Sequence, residues 1–199
     1  NSEWFVMENV DRILKSHTLP KAINLFKSAG YGLTQVVLDS SFCGVPQIRK
    51  RFFLIGHKND IDDFLTSSLY ANLSSKRTTI RDYLGNEFRT EYYYRHPRSY
   101  ARRGIFSIDE PSPTIRGVNR PIPPGYTIHS GDATTDLSKV RPLTTLERAR
   151  IQTFPKSFSF IGSKTDMEQI VGNAVPVNLA EYVATHLKEY IDNPENNPI

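Results

Sequence analysis

The chain has 199 residues, 38% hydrophobic and 23% charged, with a formal net charge of +4. That balance is ordinary for a globular chain and leaves room for one domain, or one with a small second. No apolar run is long enough to span a bilayer, the single cysteine excludes an internal disulfide or a cysteine-based zinc cluster, and the five histidines show no metal-ligand spacing. The expected compartment is the cytoplasm.

Trp4–Val10 is mostly apolar and ends in Glu8-Asn9-Val10, the pattern of a short buried strand with a carboxylate at its carboxyl end. Ligands of open α/β sheets bind beyond such ends. Residues 11–30 read as helix interrupted at Pro20, with Gly30 as terminator. A second strand is predicted over 33–38 and a third over 52–55. The short, non-helical connection between these two permits antiparallel pairing. It carries Gln47, Arg49 and Arg51 at alternate positions, which an extended segment places on one side. Such a donor row suits phosphate, carboxylate or the oxygen edge of a base; alone it equally describes a solvated basic loop.

Helical patterns follow over 65–72 and 79–84, and regular periodicity then disappears from 86 to 136, where prolines and glycines punctuate the chain. This segment reads as a small, irregular, β-leaning domain. Residues 76–120 hold ten Lys or Arg against five Asp or Glu, a balance of +5 that exceeds the whole chain's +4, and they include Tyr92, Tyr93, Tyr94 and Tyr100. A basic segment interleaved with aromatics points to a nucleic-acid surface. Thr114, Arg116 and Arg120 form its candidate contact loop, able to reach bases or phosphates. Thr144 and Glu147 make a capping-box pattern before a helix ending near 152, and another helix is predicted over 164–170. Pro176 opens a last amphipathic helix whose N-terminus offers an anion site.

Four motifs stand in order: Glu-Asn-Val at 8–10, Gln-x-Arg-x-Arg at 47–51, Arg-Pro-Leu-Thr-x-x-Glu at 141–147 and Gly-Asn-Ala-Val at 172–175. This series, with a basic irregular insert between the second and third, resembles the C-terminal half of DNA (cytosine-5)-methyltransferases. The resemblance implies the C-terminal half of an α/β, Rossmann-like, S-adenosylmethionine-dependent fold with an inserted target-recognition domain. It implies catalytic-domain strands and one helix at 1–58, the recognition domain at 59–140, helices returning to the catalytic domain at 141–192, and a flexible tail at 193–199. Glu8 then contacts N3 and the exocyclic amine of a flipped-out cytosine, because addition of a thiolate at C6 is easier when N3 is protonated or hydrogen-bonded. The same resemblance makes Asn9 hold the turn that aims Glu8, puts Arg51 near O2 of the base, and assigns Arg49 and Gln47 to the supporting loop and nearby DNA backbone. Arg141 buttresses the recognition domain and meets the DNA backbone, and Asn173, Ala174 and Val175 close one wall of the S-adenosylmethionine site.

The departures from the family carry equal information. The nucleophilic Pro-Cys and the Gly-rich cofactor loop are absent, and Cys43 stands after Glu8 rather than before it, as a packing residue. The chain opens on Asn1 and runs directly into strand-like sequence. The expectation is therefore the C-terminal part, or one subunit of a split enzyme, of a bacterial restriction-modification methyltransferase. It would bind double-stranded DNA near the nucleoid, need an N-terminal half in the same or another chain, use no membrane or metal, and be inactive alone. Two alternatives are a catalytically silent DNA-binding module and a structural subunit.

Overall fold

The computed structural model describes residues 2–97, 99 and 101–193. Tyr100 and nearly all of the expected tail lie outside the described residues. The first unit is a three-stranded antiparallel sheet in the order β1 (Trp4–Val10), β4 (Lys50–Lys58), β2 (Tyr31–Asp39). Central β4 explains the unbroken apolar run at 52–55. Successive side chains of a strand point to opposite faces, and both faces here are covered. Phe52 and Leu54 pack with Leu19, Ile23 and Phe26 of α1 (Thr18–Ser28). Phe53 and Ile55 face Leu65 and Leu69, from the start of α2 (Thr66–Ala71), and Leu179 and Val183 of α6 (Val177–Asp192). Strand β1 is an edge, and its Val6 and Val10 remain 49% and 44% exposed.

Pro20 does not interrupt a helix. The segment divides earlier, into a 3-10 turn at Asp11–Lys15 and α1, and Pro20 sits in the first turn of α1, where a missing N–H breaks no bond. Gly30 ends the helix at φ +84°, a conformation open to glycine.

The second unit is built on β5 (Tyr92–Tyr94), flanked by antiparallel β6 (Ile105–Ser107) and parallel β8 (Val140–Pro142). Its core unites Ile80 and Leu84 of α3 (Ile80–Leu84), Tyr93, Phe106 and Ile115 with Ala149 and Ile151 of α4 (Thr145–Ile151) and Val171 of α5 (Lys164–Asn173). Helices α4 and α5 thus pack on the irregular segment, and α6 alone of the last three packs on the first sheet's core. Residues 64–73 also pack beneath that sheet, inside the expected recognition segment. Both expected helix starts at Thr79 and Thr144 carry complete capping boxes. A two-residue parallel ladder between β3 (Gln47–Ile48) and β7 (Ser112–Pro113) joins the units.

Candidate active site and nucleic-acid cleft

Between the units lies an open cleft of about 1150 Å³. One wall comes from the end of β1 and the start of β4, and the other from residues 111–117 with the end of α5. Glu8, Asn9, Arg49, Arg51, Thr114, Arg116 and Asn173, scattered over 165 positions, all line it. Glu8 and Arg51 meet because β1 runs antiparallel to β4, with Val10 opposite Arg51 and Glu8 opposite Phe53. Arg51 Nε donates to Glu8 Oε1 at 2.7 Å, and Arg51 Nη1 to the carbonyl of Lys50 at 2.8 Å. The Glu8 side chain is 29% exposed toward the cleft. Asn9 Oδ1 accepts from the N–H of Val10 at 2.8 Å at the end of β1.

The expected donor row does not exist as a row. Arg49 lies between two strands, and it and Gln47 are almost fully buried. Gln47 Nε2 donates to Gln152 Oε1 at 2.8 Å, and Gln47 Oε1 accepts from the N–H of Ile115 at 2.7 Å. Arg49 donates to the carbonyls of Ile115 (2.9 Å) and Gly172 (3.0 Å). Burial, the neighbouring Arg51 and, in the opposite sense, Glu8 leave the Arg49 guanidinium at about 10, still charged at neutral pH. Gln47 is therefore not placed to touch DNA. Buried amides and guanidiniums need partners, and both side chains use theirs to tie the units together.

The other expected residues divide. Thr114 Oγ1 donates to the carbonyl of Ile48 at 2.8 Å, and Arg116 Nη2 donates to the carbonyl of His96. Arg120 is exposed but outside the cleft. Burial and then the guanidiniums of Arg120, Arg116 and Arg95 pull His96 below its ordinary value, a mark of concentrated positive charge. Arg141 is engaged bidentately by Glu147, at 2.7 and 2.5 Å, and lies outside the cleft. Asn173 is exposed at the cleft edge, and its carboxamide makes no hydrogen bond among the described residues. Ala174 and Val175 pack into the two cores instead.

A sequence profile of C-5 cytosine-specific DNA methylases matches residues 1–189. The chain belongs to that family. It is 62% identical over 193 residues to Type II methyltransferase M.HindV of Haemophilus influenzae, covering 96% of this chain and 64% of that protein. To M.HgiDI of Herpetosiphon aurantiacus it is 54% identical over 191 residues, covering 96% of this chain and 62% of that protein. It thus spans a little under two thirds of these relatives. Among solved structures, S. pombe Dnmt2 methyltransferase shares the fold, with a TM-score of 0.66 at 17% identity over 96% of this chain and 68% of that one.

Within this methylase-family chain, Cys43 is a packing residue. It is 6% exposed beneath the sheet, and burial, then Asp39, push its thiol up to about 12, which suppresses the reactive thiolate. The expected anion site at the last helix is also closed. Pro176 caps α6 from outside, and the N–H groups of Val177 and Asn178 already donate to the carbonyl of Gln152 (3.1 Å) and Thr153 Oγ1 (2.9 Å). Sequence reading did not single out Arg95, Arg148, Gln152 or Glu168. One signal was available: helical spacing places Arg148 with Ile151 and Gln152 on the inward face of α4.

Proposed function

We propose that this chain supplies the base-holding carboxylate and the DNA-reading surface of a DNA cytosine-C5 methyltransferase. The observation that carries the reading is the Glu8–Arg51 pair at the mouth of a cleft faced by Thr114 and Arg116. A flipped cytosine entering the cleft presents N3 and its exocyclic amine to Glu8. Arg51 occupies one carboxylate oxygen and fixes its plane, and Glu8 Oε2, which makes no hydrogen bond among the described residues, is left for the base. In its protonated form Glu8 donates a hydrogen bond or its proton to N3, which draws electrons from C6 as a thiolate adds there, and C5 becomes nucleophilic. S-adenosylmethionine, when bound, supplies the methyl group that C5 takes. Loss of the C5 proton then expels the thiolate.

Of the three residues expected at the cofactor, Asn173 fits, because its exposed carboxamide stands at the cleft edge. The nucleophile does not come from Cys43, which lies buried in the core beneath the sheet. The open edge of β1, with Val6 and Val10 exposed, suits a further strand from an N-terminal half that carries the Pro-Cys and the Gly-rich loop. We place the recognition unit at about residues 80–174, where one core unites the irregular segment with α4 and α5. A bacterial restriction-modification role accords with the names and organisms of the relatives, which are Type II methyltransferases.

The test combines this chain with a second chain bearing those two elements and measures transfer of labelled methyl groups to duplex DNA. Transfer is expected from the pair, not from this chain alone, and is lost in Glu8→Gln while DNA binding persists. Transfer by the 199 residues alone, or full activity of the Glu8→Gln pair, overturns the reading.

A further inference from the structure

Three successive carbonyls in the cleft wall are each held by a guanidinium from a different part of the chain. Arg95, just after β5, donates to the carbonyl of Thr114 at 2.9 Å. Arg49, between β3 and β4, donates to that of Ile115 at 2.9 Å, and Arg148 of α4 donates to that of Arg116. The intervening N–H of Ile115 is taken by Gln47 at 2.7 Å. From the far side, α5 presses so close that a Cβ on Gly172 would overlap the backbone of Arg116 and Gly117. A loop segment with this many charged donors on its backbone has one conformation, whereas recognition loops ordinarily adapt.

Arg148 makes a second contact besides its carbonyl. It is 3% exposed and forms an ion pair with Glu168, itself 5% exposed. Thr145 Oγ1 donates to Glu168 Oε1 at 2.7 Å, which fixes the carboxylate in turn. A buried pair of this kind gives geometry more than stability. The geometry it sets is that of residue 116, whose side chain lines the cleft.

We infer that Arg148, oriented by Glu168, is a positioning residue for target discrimination. It locks the backbone of residues 114–116 so that Arg116 meets DNA in a single register. This rests on the DNA-binding reading above. Contacts to phosphates set how tightly a protein holds DNA, and base contacts at fixed positions set which sequence it holds. Loosening the segment therefore relaxes choice more than strength.

The experiment uses the 199-residue chain and the double variant Arg148→Met/Glu168→Met. The double variant removes both buried charges together, so that neither is stranded. Each protein is exposed to a pool of random-sequence duplexes, and the bound fraction is sequenced. Hydrogen exchange of residues 114–118 is measured in parallel. In the double variant we expect faster exchange in that segment, enrichment of the preferred sequence reduced about tenfold, and affinity for bulk duplex changed by less than about threefold. Unchanged exchange overturns the lock. Faster exchange with undiminished enrichment, or an equal loss of enrichment and bulk affinity, overturns the role in discrimination. A parent chain that binds no duplex overturns the DNA reading itself, and the inference falls with it.

Discussion

At the level of a single side chain, little separates a residue that faces the cleft from one that lies in the interior. Arg51 and Arg49 stand two positions apart, yet Arg51 meets a carboxylate at the cleft and Arg49 meets two carbonyls in the interior. The consequences for stability differ accordingly. The Glu8–Arg51 pair is partly exposed and contributes on the order of 1 kcal/mol or less. Gln47→Ala strands the N–H of Ile115 and the side-chain Oε1 of Gln152 in a buried site, at a cost of about 2–4 kcal/mol. Urea unfolding of Gln47→Ala and Arg51→Ala is therefore expected to show the larger loss in the glutamine variant. An equal or reversed order would mean that Gln47 does not tie the units together.

Elements are held in place here by polar staples as much as by apolar faces. The clearest case is Asp132, whose carboxylate accepts from the N–H groups of Gly104, Ile105 and His129, each at 2.9 Å, and from Tyr126 Oη at 2.8 Å. One side chain thereby closes the long loop after β6 onto the strand's first residues. Burial pushes its pKa up, but the four donors outweigh this and hold it below the ordinary 3.8. A carboxyl group with a lowered folded value contributes stability above its ordinary value and loses that contribution as pH falls through the folded one. Asp132→Asn is expected to lower stability at neutral pH by about 2 kcal/mol. It should also flatten the decline of the urea midpoint below pH 3.8 relative to the parent chain. A parallel decline in both proteins would remove Asp132 as the source.

Over the whole molecule, the two units meet along a cleft with cationic side chains on both walls, Arg12, Arg49, Lys50 and Arg51 on the side of the first sheet. Arg95, Arg102, Arg103 and Arg116 line it from the irregular segment, and Arg120 stands exposed outside it. If that surface meets phosphates, Arg120→Ala should weaken duplex binding and reduce the slope of log affinity against log salt by about 1. An unchanged slope in a titration from low to moderate salt would place Arg120 off the DNA. The sequence by itself determined the local elements. The strand at 52–55, the capped helices at Thr79 and Thr144 and the irregular insert follow from periodicity, caps and breakers, all set within a few residues. The ordered motifs marked the family as well. Only the tertiary structure decided which donors face the cleft and which lie inside, because alternation along a strand fixes relative sides and not what covers each side. Gln47 found its partners at Ile115 and Gln152, and Arg148 found its own at Arg116 and Glu168. Such pairs, joined across the meeting of two cores, leave no periodic trace in the chain, and they separate the residues that build the site from those that stand within it.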